Sequence, residues 1–210
     1  MVMARRALGR KEAKEVTRRR LIEGAIEIMR SEGVAAATTG RIAEAAGIAQ
    51  SSFYGHFADR DACLEAAADV IGGYVLHQVR KQRGKLDAAD LRGSIRSVYA
   101  SVLNAFLSSP ELTRIFLRYR NDDHSALGRA FRELVDRARV DLKASFRAYG
   151  VTGEVAARAD VYSELLITGT LGIVEGLLDG RLPDRDVAVE ATTHATYAAL
   201  NTVLTGKVDS

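Results

Sequence analysis

The chain has 210 residues, 47% hydrophobic and 27% charged, with only 2 prolines and 1 cysteine. That composition excludes a disordered or collagen-like chain, and one thiol excludes an internal disulfide or a multi-thiolate zinc site. Net charge is +3, but residues 1–20 carry eight Lys and Arg against two acids, whereas residues 61–210 sum to −1.

A basic end on a near-neutral body is the asymmetry expected where one end meets a polyanion. At this length folding buries about 70% of the unfolded surface, so no staple is needed. Charges break the apolar stretches before about 18 residues, so no membrane partner is expected. The start, Met1-Val2-Met3-Ala4-Arg5-Arg6, has no apolar run behind it and does not read as a secretory signal. A cytoplasmic protein is expected.

In chain order, residues 1–14 read as a basic flexible arm. Ile22, Ala25, Ile26 and Met29 recur at helical spacing and stop at Gly33. Thr38 or Thr39 caps a short second helix through Ala46, ended by Gly47. A third runs from about Gln50 to His56, and Asp59 then caps a long fourth helix striped by Leu64, Ala68, Ile71, Val75 and Val79. Leu91 to Phe106 marks a fifth helix, Pro110 starts a sixth, and Phe131 to Tyr149 marks a seventh, stopped at Gly150. Tyr162 to Leu177 and Val187 to Thr202 mark the eighth and ninth, with Pro183 between. No segment alternates long enough for a strand and no repeat is present. The expected fold is all-α, with about nine helices, three short ones in front and six longer ones behind.

Two short helices joined at Gly47 form a helix-turn-helix, whose second helix enters a DNA major groove. Ile42, Ala43 and Ala46 are placed to pack against Ile48, Phe53 and Phe57, and small alanines allow a close crossing. Gln50, Ser51 and Ser52 then project from the start of the reading helix, with side chains suited to base edges. Thr38-x-x-x-Ile42-Ala43-x-x-Ala46-Gly47-Ile48 and Phe53-Tyr54-x-His56-Phe57 resemble the DNA-binding domain of the TetR family of one-component repressors, over residues 15–64. Chain length and helix count fit that family as well.

The resemblance implies a helix-turn-helix domain at 15–60, its motif at about 38–57, and a ligand-binding and dimerisation domain at 61–210. Arg18, Arg19, Thr38, Thr39, Tyr54, His56 and Arg60 are then expected at the DNA backbone, Gln50, Ser51 and Ser52 at bases, and Arg41 among the DNA-binding residues. Three positions depart from the family pattern. Ala49 stands where a capping Ser or Thr is common, Gly55 replaces a larger residue, and Arg60 stands where lysine is usual. The first departure costs about 0.5–2 kcal/mol of local helix stability and the second about 1 kcal/mol.

No nucleophile elbow, P-loop, dinucleotide-binding glycine run or Cys-x-x-Cys pair occurs, so neither catalytic residues nor a cofactor nor a metal is expected. Asp122-Asp123-His124 reads as the polar entry to the seventh helix, with an aspartate as cap. Glu190 and His194 read as an exposed ion pair, and Cys63 as a small buried hydrophobe. The contending classes are an all-α enzyme or ligand carrier with a helix-turn-helix-like front, and a nucleic-acid packaging protein. The first lacks an assembled acid, base or nucleophile, and the second would spread basic residues over the body.

Behind the front end, Arg114-Ile115-Phe116-Leu117-Arg118-Tyr119-Arg120, Asn104 to Pro110 and Ala130-Phe131-Arg132 loosely resemble a TetR subgroup that represses unsaturated fatty acid synthesis. That likeness implies a small-molecule effector such as an acyl thioester or fatty acid. Tyr99, Val102, Asn104, Phe106, Phe116, Arg118, Phe146 and Tyr162 are the expected ligand contacts, with Arg118 facing the acid. Small residues at helical spacing, Gly169, Gly172 and Gly176 with Ala191, Ala195 and Ala198, let helices approach closely. With Leu165 they form the expected homodimer face. The reading is a ligand-responsive repressor that binds double-stranded operator DNA.

Overall fold

The computed structural model describes the backbone of residues 2–85, 87, 89–148 and 155–205, and the side chains of 9, 11–85, 87, 89–147 and 159–201. Among the described residues the secondary structure is helical throughout: α1 Val2–Glu32, α2 Thr39–Ala45, α3 Gln50–Phe53, α4 Arg60–Arg83, α5 Leu91–Leu107, α6 Pro110–Tyr119, α7 Ala126–Ala148, α8 Val155–Leu178 and α9 Arg185–Thr205. A single 3-10 turn, Val34–Ala36, follows α1. The expected stop of α7 at Tyr149 and Gly150 lies outside the described residues.

Caps and turns account for most boundaries. Gly33, at φ 87°, ends α1 and donates its amide to the Met29 carbonyl at 3.0 Å, a left-handed stop that suits glycine. Asp59 Oδ1 accepts from the Ala62 amide at 2.8 Å and starts α4. Asp90 accepts from the Gly93 amide at 2.9 Å, and a β-carbon on Gly93 would collide with that carboxylate. Asp184 accepts from the amides of Asp186 and Val187 and opens α9.

The front end differs from expectation in two places. Residues 2–14 are the first turns of the 31-residue α1 rather than an arm, and the leading helix is therefore long. Ala4, Ala7, Leu8, Lys11, Ala13 and Lys14 are strong helix formers, with no proline to stop them. In contrast, α3 spans only four residues and gives way to turns at Gly55 and His56. Ala49 offers no side-chain cap and Gly55 disfavours helix, so both departures act in the same direction.

The chain divides into two compact units, and the division does not fall at residue 60. The first unit holds residues up to Ile71 together with Ile115–Phe131, and the second holds Gly72–Arg114 and the chain from Arg132 onward. Phe116, Leu117, Ala126, Leu127, Ala130 and Phe131 are buried in the first, where Phe116 and Phe131 pack ring to ring at 6.4 Å. Arg129 pairs there with Glu65 of α4 at 3.6 Å. In the second unit α5 packs on α9, and α8 on both. Arg96 of α5 pairs with Glu190 of α9, and Arg139 of α7 with Glu164 of α8.

Several smaller expectations resolve at the same level. Glu190 is held by Arg96, with Arg92 at 4.0 Å, rather than by His194, because the arginine forks of α5 face it. Ser125, not an aspartate, caps α7 by accepting from the Gly128 amide at 3.0 Å, while Asp122 instead accepts from the His124 amide. Cys63 is fully buried, and burial pushes its thiol up to about 11.

Segment Ala159–Leu178 of α8 is long and apolar enough to cross a membrane by length and composition alone, although charges break it well before 18 residues, as expected. Glu164 and Glu175 interrupt it, and Glu164 pairs with Arg139.

Candidate nucleic-acid interface

The first unit builds its site on a small apolar platform. Ile42 and Ala43 of α2 and Phe53 of α3 are fully buried, with Ala46 and Phe57 nearly so. Close approach is made possible by Gly24 of α1, whose β-carbon would lie 3.0 Å from that of Ala45. Gly47, at φ 69°, turns the chain between the two short helices. Thr38 caps α2 by accepting from the Arg41 amide at 3.4 Å.

On the opposite side of this platform Gln50, Ser51 and Ser52 are all exposed at the start of α3. Gln50 donates to the Thr39 hydroxyl at 3.1 Å, which orients the amide across the helix pair. A β-carbon at Gly40 would meet the Gln50 carboxamide at 3.5 Å, an ordinary van der Waals contact. Tyr54 is 58% exposed and stands edge-on to Phe53, with ring centroids 5.5 Å apart. Arg19 is exposed on α1. These side chains share one surface chemistry: short hydroxyls, an amide, a phenol and a guanidinium, none buried.

Three of the arginines expected at DNA make contacts within the unit. Arg18 donates to the His56 carbonyl at 3.1 Å and lies over the Phe57 ring, 4.1 Å from its centroid. Arg60 donates to the carbonyls of Ala37 at 2.8 Å and Val34 at 2.5 Å, closing the 3-10 turn onto the start of α4. Arg41 forms a two-pronged pair with Glu32 at 2.7 and 2.6 Å. That pair raises the Arg41 guanidinium and lowers the Glu32 carboxyl from their ordinary ranges. A planar fork matches paired oxygens better than a point charge does, which explains why arginine suits the brace at position 60. His56 is half-buried, and its Nδ1 is sealed without a hydrogen-bond partner. It does not offer that atom to the surface.

The expected ligand contacts do not gather in one unit. Phe116 and Arg118 fall in the first, the other six in the second. Phe116, Val102 and Phe146 are buried core residues, and Phe106 and Tyr162 are half-buried. Asn104 and Arg118 are exposed, because each stands on the outer side of an amphipathic helix whose apolar residues turn inward. Only Tyr99 combines burial with a placed polar atom, its hydroxyl lying 2.6 Å from that of Thr196. Arg114, read with Arg118 as a cluster, donates to the Leu178 carbonyl at 2.6 Å.

On the expected dimer face, Leu165, Gly169, Gly172, Ala191 and Ala195 are exposed, and Ala198 is half-buried. Gly176 is different: it is buried, and a β-carbon there would press on Leu182 at 2.9 Å, so its smallness serves packing within the chain. Sequence reading missed Val161 and Val187, which extend the same exposed apolar face and are 62% and 63% exposed.

Residues 21–67 match the family model described as bacterial regulatory proteins, tetR family. An uncharacterized HTH-type transcriptional regulator of Haemophilus influenzae is 32% identical over 121 residues, covering 57% of this chain and 56% of that protein. The match therefore spans about half the length of that relative. A TetR-family transcriptional regulator from Streptomyces coelicolor shares the fold with a TM-score of 0.64 at 22% identity, over 97% of this chain and 96% of that one. The fatty acid degradation regulator FadR from Bacillus halodurans does so with a TM-score of 0.67 at 14% identity, over 88% and 94%. The front domain thus matches that family's model, and the helical fold behind it is similar to that of solved TetR-family regulators.

Proposed function

We propose that the chain is a ligand-responsive, DNA-binding transcriptional repressor that works as a homodimer. The observation that carries this reading is the exposed row Gln50, Ser51 and Ser52 at the start of α3, set on a platform of fully buried Ile42, Ala43 and Phe53. A rigid base and a polar tip are what direct readout in a major groove requires. Arg19 and the basic first turns of α1 supply phosphate contacts. Arg18, Arg41 and Arg60 contribute by holding the head in shape.

The dimer is supported by the exposed apolar face of α8 and α9. Only 17% of the apolar α8 window is buried within one copy. A face of this kind on a soluble chain marks an association surface, and a second copy of the same face buries it by twofold symmetry. Two heads then meet half-sites about 34–36 Å apart, or a multiple of that spacing. A small, mainly apolar effector in the second unit releases the DNA by favouring a different spacing of the heads. Helix α4 begins in the first unit and ends in the second, which supports it as the linking element.

The test is fluorescence anisotropy on DNA from upstream of the chain's own gene, over a salt series. Sequence-selective binding, saturating at two copies per site, is expected. Equal affinity for unrelated DNA at every salt concentration sinks the regulator reading.

A further inference from the structure

Within the exposed row of α3, Gln50 is held by a neighbouring helix. Its carboxamide donates from Nε2 to the hydroxyl of Thr39, the first residue of α2, at 3.1 Å. The same amide lies face-on to Gly40: a β-carbon built there would stand 3.5 Å from Oε1, 3.6 Å from Cδ and 3.7 Å from Nε2. Near-equal distances to those three atoms mean that the amide plane is turned flat against the glycine. Thr39 and Gly40 are half-buried, whereas Gln50 is exposed. Helix α2 therefore seats an amide that still faces outward.

That seat limits what the amide can read. A carboxamide carries two N–H donors and one carbonyl acceptor. With one N–H given to Thr39, it presents one donor and one acceptor. In the major groove adenine offers the N7 acceptor beside the N6 amino donor, whereas guanine offers two acceptors, N7 and O6. One donor with one acceptor satisfies both groups of adenine. Against guanine the amide oxygen would oppose O6, and one contact is lost. Cytosine and thymine each present a single hydrogen-bonding group there, too few to engage both. The hydroxyls of Ser51 and Ser52 bond donors and acceptors alike, so base preference in the row concentrates at Gln50.

We propose that Thr39 and Gln50 form a pair that specifies adenine. Gln50 makes the base contact, and Thr39, by occupying the other N–H, denies guanine. Thr39 is a positioning residue, a role different from the backbone contact that the resemblance implied for it. This rests on the DNA-binding reading and names the base at one position of each half-site.

The test selects duplexes from a random-sequence pool with the full chain, then measures single-pair replacements in the selected sequence by fluorescence anisotropy. Wild type is expected to require adenine at one position of each half-site, with guanine there binding about tenfold more weakly, within the range of one good bidentate pair. Replacing that adenine by its 7-deaza analogue, which keeps the amino group and removes N7, is expected to weaken binding as well. Gln50→Ala abolishes both differences at that position alone. Thr39→Val narrows the adenine-to-guanine ratio there, and Thr39→Ser restores it, since serine keeps the hydroxyl. Preferences at the other positions stay as in wild type in all three variants, a pattern that general destabilisation does not imitate. A Gln50-dependent preference for guanine means that the hydroxyl donates to Oε1 and the amide lies the other way round, which overturns the proposal. Preferences that Gln50→Ala leaves unchanged, or an undiminished adenine preference in Thr39→Val, overturn it too. Each of these results leaves the regulator reading standing, whereas selection of no common sequence removes that reading and the adenine assignment with it.

Discussion

The two units differ most in how much apolar surface they leave uncovered. In the first, Arg18 and Arg60 brace backbone carbonyls, Arg41 takes both oxygens of Glu32, and the platform under α3 is sealed. In the second, Arg83 has a sealed, unpartnered nitrogen, and Val161, Leu165 and Val187 stand more than half exposed. Internal bonds hold the arginines of the first unit in place. In the proposed dimer a second copy covers the exposed apolar face of the second unit.

The largest effect is expected on the unfinished apolar face. In the proposed dimer, Leu165→Glu places a charge on each copy at the shared face, so like charges oppose one another. Sedimentation should show a monomer at micromolar concentration. Operator affinity should fall on the order of 100-fold, since two linked heads bind far more tightly than one. Helical content by circular dichroism should stay unchanged, because Leu165 is 62% exposed within one copy. A dimer that survives this change does not use the centre of α8.

Next in size is the removal of a head brace. Arg60→Met leaves the Val34 and Ala37 carbonyls without their charged donor, at a cost of about 2 kcal/mol. Arg60→Lys should recover less than half, since one ammonium does not reproduce a fork over two carbonyls. Urea unfolding measures both. A full-stability Arg60→Met variant with weakened DNA binding would return Arg60 to the phosphate role read from its position in the sequence.

Arg60 also shows which parts were legible beforehand. The helix-turn-helix was readable because its signals are local: a threonine cap at Thr38, a left-handed glycine at Gly47, and apolar residues at fixed spacing. Helix count was readable for the same reason. The partners of the arginines were not, because Arg60 reaches back 23 and 26 positions and Arg18 forward 38. Composition says that such groups are basic, not which carbonyl they face. Gly176 misled in the other direction: its spacing with Gly169 and Gly172 suggested one face, but Leu182 covers it.

A smaller effect is expected at the reading tip. Gln50→Ala removes an amide that Thr39 orients. Discrimination at one base pair per half-site should relax by about tenfold, within the range of a single side-chain-to-base contact, with the salt dependence unchanged. Thr39→Val should give a weaker version of the same relaxation, since the amide then loses its orienting hydroxyl. A uniform loss on all sequences in both variants would place Gln50 at the backbone instead.

The smallest effect concerns how well the head is sealed around Cys63. Its thiol lies within 3.9 Å of the Leu21 carbonyl, and burial raises it from about 9 in an open chain to about 11. Below pH 9 the folded and unfolded chains both keep the proton, so the full stability is present. Between pH 9 and 11 the unfolded chain releases the proton and the folded chain retains it. Stability therefore falls as pH rises through that window, by on the order of 1 kcal/mol. Lysines and tyrosines titrate in the same range, so the quantity to measure is the difference between wild type and Cys63→Ala in urea at pH 8 and pH 10.5. The difference should shift against wild type at the higher pH. Arg18 opposes the burial effect, because its positive charge favours the thiolate. In an Arg18→Met background the Cys63-dependent loss should therefore steepen. If removing Arg18 flattens it, solvent reaches the thiol once the brace over Phe57 is gone, and Arg18 then acts on Cys63 by sealing the head rather than by its charge.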